Sequence, residues 1–182
     1  MTKTPTPELS IILPCLNEAK ALPHCFRQIE RVIHHSHIQA EIILVDNNSS
    51  DQSACLAREA GAACRAGLQA AHGQFLFLAD CDGSYDFGEI PAFLKHLKNG
   101  YDFVIGDRFS GHIAKDAMPR LHRHIGNPLL TKFLRLFFKA EIHDAHCGMR
   151  SLTKEAYKQL DLKTLGMEFA SEMLLKAEKK NL

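Results

Sequence analysis

The sequence predicts an α/β fold in which helices cover both faces of a mostly parallel sheet. Short apolar runs that end in turn residues alternate with longer segments whose apolar residues follow helical spacing. Polar residues follow the apolar runs at 14–18, 46–51 and 80–86, as expected where the carboxyl ends of parallel strands bind a ligand. The 182 residues, with a formal net charge of +1, predict a single domain over 1–182 without general attraction for nucleic acid.

The first elements form a βαβ unit. A strand is expected at 9–13, a helix from 19 to about 35, and a second strand at 41–45. Three polar residues follow these strands, namely Asn17, Glu18 and Asp46. Because neighbouring parallel strands end at the same edge of a sheet, we expect these side chains to face one crevice in which a nucleotide can lie.

The alternation breaks after the second strand. Both 52–60 and 62–71 have helical character, and only Gly61 separates them. A doubly wound sheet would place a strand between two such helices. The sheet therefore lacks one edge strand, or the two helices form a single kinked crossover.

A buried strand at 75–79 ends in two carboxylates. If the extended geometry persists, Asp80 and Asp82 project to one side and Cys81 to the other. Hard oxygen ligands at a strand end suit Mg²⁺ or Mn²⁺ holding a substrate diphosphate. The alternative is an ordinary capped strand end, since Asp, Gly and Ser are common turn formers.

The next segment predicts a short helix, a strand and a long loop. The helix is expected at 90–97 with a cap at 99–100, the strand at 101–105, and the loop at 109–126. A helix at 129–139 then carries a basic face that consists of Lys132, Arg135 and Lys139. Core packing with a solvated basic face is one interpretation, and contact with anionic lipid headgroups is the other.

The segment 143–150 concentrates polar residues on one predicted loop. Asp144 can orient an acceptor or take its proton, and Arg150 can bind a phosphate with its guanidinium fork. His143, His146 and Cys147 are possible zinc ligands, but no second ligand pair at metal spacing follows, so we discount zinc. Thr153 is expected to cap a helix that ends near 160, and a last helix is expected at 167–180.

Composition indicates a reducing compartment. The six cysteines include no CxxC pair, which predicts free thiols. Residues 1–8 are polar and do not resemble a signal peptide, and no apolar run is long enough to cross a bilayer. We expect a cytoplasmic protein that is at most attached to the surface of a membrane.

Taken together, the motifs resemble family 2 glycosyltransferases of the GT-A fold, in their polyprenyl-phosphate (dolichol-phosphate mannose synthase-like) branch. The matching segments are SIILPCLNE (10–18), VDNNSSD (45–51), ADCDGSYD (79–86), GDRF (106–109), MPRLHR (118–123) with GNP (126–128), DAHCGMR (144–150) and GMEFASEM (166–173). They follow the order of the family and cover most of the chain. A single Asp-x-Asp is a weak signal, but the ordered set is specific.

The resemblance implies a role for each matched residue. Pro14, Asn17, Glu18 and Asp46 would line the nucleoside pocket, while Asp80 and Asp82 would hold Mg²⁺ or Mn²⁺ and, through Asp80, the sugar nucleotide. Arg108 and Arg123 would contact phosphates, Asp144 would be the acceptor-side acid, and Arg150 would lie next to the acceptor phosphate. The implied reaction is inverting transfer of a hexose from a UDP- or GDP-sugar to a polyprenyl phosphate.

Two departures from the family pattern leave a second interpretation open. Relatives usually carry a further strand and a glycine-rich loop where 61–65 runs straight through, and many continue beyond the last matched helix. The alternative to an active transferase is therefore a degenerate relative that acts as a nucleotide-sugar-binding or scaffold subunit. A nicotinamide-binding Rossmann domain is remote, because no GxGxxG follows the first strand.

Overall fold

Five strands form one sheet in the computed structural model, which describes residues 6–46, 49–50, 60–108, 144, 147–166 and 168–182. The strands are β1 (Leu9–Cys15), β2 (Ala40–Asp46), β3 (Phe75–Leu78), β4 (Phe103–Ile105) and β5 (Arg150–Thr153), in the spatial order β2-β1-β3-β5-β4. Strands β1 to β4 share one direction, and β5 runs antiparallel to β3 and β4. The predicted mostly parallel sheet is confirmed.

Helices cover both faces of the sheet, as the sequence predicts. They are α1 (Leu22–Ser36), α2 (Ala60–Ala70), α3 (Ile90–Lys98), α4 (Lys154–Leu160) and α5 (Phe169–Lys180). Buried residues of α1 and α3 pack on one face, and those of α2, α4 and α5 pack on the other. Within the described ranges, no helix has the length and apolar character needed to cross a membrane.

Strand alternation divides β1 between the two cores. Ile11 and Leu13 belong to the core under α1 and α3, whereas Ile12 belongs to the core under α2, α4 and α5. Successive side chains of a strand point to opposite faces. An apolar run without polar interruptions is therefore what a strand covered by helices on both faces requires.

Two predicted caps are present. The Thr153 hydroxyl accepts a hydrogen bond from the N–H of Ala156 at 3.0 Å, which satisfies a donor in the first turn of α4. After α3, Gly100 has a φ of +99°, a region that only glycine adopts without strain, and its N–H donates to the Leu97 carbonyl at 3.1 Å.

The strand β5 is the main difference from the prediction, which placed Arg150 on a loop. The segment 150–153 is short and mostly polar, so its hydrophobic pattern does not predict a strand. It forms one because β3 and β4 leave a gap that an antiparallel strand fills, with Phe77 opposite Ser151 and Val104 opposite the same residue. In this strand Arg150 lies opposite Leu78, two positions before Asp80.

The described residues agree with a missing edge strand. Strand β2 is the outermost strand on its side of the sheet. Gly61 lies inside helix α2, which is described over Ala60–Ala70. The predicted helix at 52–59, the loop at 109–126 and the basic helix at 129–139 lie outside the described residues.

Glu172 in α5 holds the loop that leads into this helix. Its carboxylate accepts hydrogen bonds from the N–H of Lys163 at 3.1 Å and from the N–H and hydroxyl of Thr164 at 2.9 and 2.6 Å. The ammonium of Lys176 lies 2.7 Å from the carboxylate. Burial disfavours the charged form, but the bonds from Lys176 and Thr164 outweigh it and lower the pKa of Glu172 to about 2.

We expect Glu172→Gln to destabilise the protein near neutral pH and to have little effect in acid. A carboxylate with a depressed pKa contributes stability that is present above its unfolded pKa and lost as the pH falls through its folded pKa. Because the group lies near the surface, we expect the free energy of unfolding to fall by about 1–2 kcal/mol at neutral pH. Urea unfolding at several pH values measures this, with the exposed Glu178→Gln on the same helix as control. A difference in unfolding free energy between the wild type and Glu172→Gln that stays constant from pH 7 to pH 3 would contradict this expectation.

Candidate functional site

The carboxyl ends of β1, β2 and β3 meet at one edge of the sheet. Cys15 lies opposite Asp46 in the β1–β2 ladder, and Ile12 lies opposite Leu78 in the β1–β3 ladder. The loops that follow these strands therefore start side by side. The predicted crevice at this edge has the strand arrangement that α/β proteins use for ligand binding.

The loops after β1 and β2 are tied together by two serines. The N–H of Asn17 donates to the hydroxyl of Ser49 at 2.9 Å, and the Asn17 side-chain oxygen accepts from the N–H of Ser50 at 2.8 Å. Ser49 also donates through its N–H, at 3.2 Å, and through its hydroxyl to the carboxylate of Asp46. Asn17 has a φ of +59°, a left-handed conformation that asparagine tolerates well.

This arrangement brings Asn17 and Asp46 together, as the sequence predicts. Asp46 is buried, with both carboxylate oxygens bonded to Ser49, and Glu18 and Pro14 are half-buried on the neighbouring loop. The sequence places Ser49 in the polar turn that follows the second strand and assigns it no role. Its bridging role depends on a contact across 32 positions of the chain, which no local pattern reveals.

Asp80 and Asp82 are both exposed to solvent, whereas Cys81 between them is buried. The strand itself ends at Leu78, so strand alternation does not account for this order, and the projection of both carboxylates to one side stays a prediction. The Cys81 thiol donates to the carbonyl of Pro14 at 3.3 Å, which fixes this loop to the loop after β1. In this geometry, the two carboxylates face solvent at the same edge of the sheet.

Asp80 is surrounded by protein groups, although its side chain is still exposed to solvent. Surrounding protein raises the pKa of Asp80 by withdrawing solvation, and the negative charge of Asp82 raises it further. The guanidinium groups of Arg150 and Arg108 act in the opposite direction. Two carboxylates that repel each other in this way gain stability from a cation held between them.

The residues fit a divalent cation. One oxygen of Asp82 accepts from the N–H and hydroxyl of Ser84 at 2.8 and 2.6 Å, so this carboxylate is held in place. Among the described residues, no group of three or more His, Cys, Asp or Glu side chains converges on a metal position. Mg²⁺ is commonly held by one or two carboxylates together with substrate phosphates and water, which matches this donor set.

A buried ion pair joins Arg108, in the loop after β4, to Asp144. Arg108 contacts both oxygens of Asp144, with Nε 2.6 Å from Oδ2 and Nη2 2.9 Å from Oδ1, and its backbone N–H donates to Oδ2 at 3.3 Å. The Asp144 side chain is inaccessible to solvent, and that of Arg108 is 24% exposed. Because Asp144 accepts at both oxygens, its geometry favours orienting Arg108 over taking a proton from an acceptor.

Arg150 is buried at the start of β5. Its Nε donates to the carbonyl of Cys147 at 2.9 Å, and its Nη1 donates to the carbonyl of Ala170 at 2.7 Å. Burial lowers the pKa of its guanidinium. The structure thus ties Arg150 to the backbone of α5 and of the preceding segment, behind Asp80, where the prediction had it on a loop. Arg123 lies outside the described residues.

Two further residues of this edge were absent from the predicted site. The hydroxyl of Tyr85 accepts a hydrogen bond from the N–H of Gly148 at 2.8 Å. A Cβ at Gly148 would overlap the Asp80 carboxylate, so any larger residue at this position would require the Asp80 side chain to move. The hydrogen bond between Tyr85 and Gly148 joins the loop of Asp80 to the segment that contains Arg150.

Comparison with known proteins identifies the family. The family model described as "Glycosyl transferase family 2" matches residues 10–61 and 57–161. A low-salt glycan biosynthesis hexosyltransferase of Haloferax volcanii is 36% identical over 97% of this chain. A dolichyl-phosphate hexose transferase of the same organism is 28% identical over 97% of this chain and 79% of its own length. The chain spans 46% of the first relative, about half its length.

Solved structures confirm the GT-A fold. Glucosyl-3-phosphoglycerate synthase of Mycobacterium tuberculosis, in complex with phosphoglyceric acid, superposes with a TM-score of 0.71 at 18% identity, covering 96% of this chain and 66% of that one. The same enzyme with Mn²⁺, uridine diphosphate and phosphoglyceric acid also gives 0.71, at 17% identity over 96% of this chain and 65% of that one. The family model, the sequence relatives and the fold agree, and the chain belongs to glycosyltransferase family 2.

Proposed function

We propose that this protein transfers a hexose from a nucleoside-diphosphate sugar to a polyprenyl phosphate, with inversion at the anomeric carbon and with Mg²⁺ or Mn²⁺. The observation that carries the proposal is the exposed pair Asp80 and Asp82 beside the loops of Asn17 and Asp46. The printed names of two relatives, a dolichyl-phosphate hexose transferase and a dolichol-phosphate mannosyltransferase, support the lipid-phosphate acceptor. A lipid acceptor places the reaction at a membrane surface.

The donor would lie along the edge formed by the first three strands. Asp46, held by Ser49, would contact the base, with Pro14, Asn17 and Glu18 lining the nucleoside pocket. Asp80 and Asp82 would hold the cation, which when bound neutralises charge on the diphosphate. The structural neighbour that contains Mn²⁺ and uridine diphosphate supports a donor of this type.

The reaction would be a single displacement. An oxygen of the acceptor phosphate forms a bond to the anomeric carbon while the bond from that carbon to the diphosphate oxygen breaks. The electron pair leaves with the nucleoside diphosphate. Because a phosphate is already ionised near neutral pH, the acceptor needs little help from a general base.

The ion pair of Arg108 and Asp144 fits an acceptor-side role without proton transfer. Asp144 fixes the guanidinium of Arg108 through two side-chain hydrogen bonds. A guanidinium held in one orientation can bind a phosphate with little loss of side-chain entropy. Arg108, together with Arg150 and with Arg123 of the predicted loop 109–126, would supply the positive charge that faces the acceptor.

A second candidate function is binding of the sugar nucleotide without transfer. The observation that favours it is the burial of Asp144 and Arg150, whose side-chain atoms are bonded to protein groups. In that case the acidic pair would still hold the donor. The protein would then serve as a nucleotide-sugar-binding or scaffold subunit.

A transfer assay separates the two candidates. The protein is incubated with Mn²⁺, a short-chain polyprenyl phosphate in detergent and a panel of UDP- and GDP-hexoses, and the lipid product is measured. Transfer with at least one donor supports the enzyme. A rise in melting temperature with Mn²⁺ and nucleotide but no lipid product supports the binding subunit. No thermal shift with any donor or metal rejects both.

A further inference from the structure

The hydroxyl of Tyr85 lies where the donor-side loop meets the acceptor-side segment. Tyr85 comes three positions after Asp82 on the loop that follows β3, and its ring packs against the core under α1 and α3. Its Oη accepts a hydrogen bond from the N–H of Gly148 at 2.8 Å, across 63 positions of the chain. This bond ties the loop of the acidic pair directly to segment 147–150.

Gly148 lies close to the carboxylate of Asp80. A Cβ built on Gly148 would overlap Oδ2 of Asp80 and would lie 2.8 Å from Oη of Tyr85. The Asp80 carboxylate, the Tyr85 hydroxyl and the Gly148 backbone therefore meet at one point. Any displacement of Gly148 changes the space beside Asp80.

Segment 147–150 contains Arg150 and is bonded to Asp144, two residues that the proposed function assigns to the acceptor side. The N–H of Cys147 donates to the carbonyl of Asp144 at 3.4 Å, and the carbonyl of Cys147 accepts from Nε of Arg150 at 2.9 Å. A bond that holds Gly148 therefore acts on segment 147–150, which is bonded to Asp144 at one end and contains Arg150 at the other. Its influence reaches Arg108 through the Asp144 ion pair.

The Tyr85 hydroxyl keeps its proton, so its hydrogen bond with Gly148 does not change with pH near neutrality. Burial raises the pKa of Tyr85, and its neighbours Cys147 and Asp80 raise it further, so the hydroxyl stays neutral at working pH. A neutral hydroxyl can accept from Gly148 while it keeps its own proton. A phenylalanine would fill the same space in the core, so only the hydroxyl distinguishes this residue from an ordinary core aromatic.

We propose that Tyr85 is a positioning residue for transfer: its hydroxyl holds Gly148 against Asp80 and thereby sets the distance between the acidic pair and the acceptor-side residues Asp144 and Arg150. The expected change in transfer kinetics rests on the proposed function. The contact between Tyr85 and Gly148 does not, because it can be measured without turnover.

The test is Tyr85→Phe, with Tyr101→Phe as matched control. Tyr101 is 59% exposed on the turn between α3 and β4, so its hydroxyl should not affect the site. We expect amide exchange at Gly148 to accelerate by about tenfold or more in Tyr85→Phe, because the N–H loses its acceptor. The melting shift with Mn²⁺ and UDP or GDP should remain, since Asp80 and Asp82 are unchanged.

With the full protein, kcat in the transfer assay should fall about tenfold, because small misplacements of reacting groups are costly. The KM for polyprenyl phosphate should rise severalfold, whereas the KM for the sugar donor should stay within about twofold. A purely structural role would lower the melting temperature without this difference between the two substrates.

The outcomes separate this inference from the proposed function. If the wild-type protein transfers no sugar, the proposed function fails, and the exchange rate of Gly148 still decides whether Tyr85 holds it. Exchange at Gly148 that is equally slow in both proteins overturns the inference. Wild-type kcat and KM values in Tyr85→Phe, or equal losses for donor and acceptor, overturn it as well.

Discussion

Replacing Asp82 with asparagine is expected to abolish the stabilisation by Mn²⁺ and nucleotide and to lower the transfer rate by about 10²-fold or more. Asparagine keeps the oxygen that accepts from the N–H and hydroxyl of Ser84, so the loop retains its shape. The substitution removes the charge and replaces the other carboxylate oxygen with an NH2 group. For the wild-type protein at 100 times the Kd, linkage predicts about 2.7 kcal/mol of stabilisation, which is roughly 5–10 °C in a chain of this size.

The same substitution should leave the ligand-free protein at least as stable as the wild type. The charge of Asp82 raises the pKa of Asp80, which means that the two carboxylates repel each other when no cation is bound. Loss of function without loss of stability distinguishes a ligand site from a capped strand end. Thermal melting with and without Mn²⁺ and UDP or GDP measures both effects in one experiment.

Asp161→Asn is the matched control for Asp82. Asp161 is 73% exposed and has a φ of +46°, a conformation that asparagine adopts readily. We expect wild-type melting shifts and wild-type transfer for this variant. A melting shift that persists in Asp82→Asn would show that the acidic pair does not hold the donor through a cation.

Asp144→Asn is expected to give the largest loss of stability among single changes in the site. The Asp144 side chain is inaccessible to solvent and forms a bidentate pair with Arg108. Removing one partner of a buried pair typically costs about 3–5 kcal/mol. Because Arg108 is 24% exposed and regains some hydration, we expect the free energy of unfolding to fall by about 2–3 kcal/mol.

Urea unfolding of four proteins tests this expectation: the wild type, Asp144→Asn, Arg108→Gln and the double variant. If the pair stabilises the fold as the geometry indicates, the double variant should lose less than the sum of the two single losses, with a coupling of about 1–3 kcal/mol. Glu8→Gln is the control, because Glu8 and Lys98 form a more exposed pair on the surface, whose loss should cost under about 1 kcal/mol. A loss in Asp144→Asn no larger than in Glu8→Gln would contradict the argument.

The spacing of apolar residues predicted the strands and helices that depend on neighbouring residues in the chain. The apolar runs predicted β1, β2 and β3 to within two residues at each end, and the spacing of apolar residues in 19–35 predicted the helix observed as Leu22–Ser36. The sequence also placed the acidic pair directly after the third strand, which ends at Leu78. These features depend on residues that are adjacent in the chain.

The strand β5 and the contacts of the site depend on residues that are distant in the chain. Arg108 and Asp144 are 36 positions apart, and Tyr85 and Gly148 are 63 positions apart. Each residue is ambiguous by itself, since an arginine, an aspartate or a tyrosine in a loop is compatible with many roles. The sequence suggested Arg108 and Asp144 for different tasks, and the fold pairs them.

The amino-acid sequence by itself determined the α/β architecture, the family resemblance and the position of the acidic pair at a strand end, because hydrophobic spacing and ordered motifs are written along the chain. Only the tertiary structure decided that a short polar segment becomes β5, that Arg150 is buried behind Asp80, and that Tyr85 meets Gly148. The physical reason is that these features satisfy backbone groups and charges contributed by other elements, and such partners exist only after the sheet has formed.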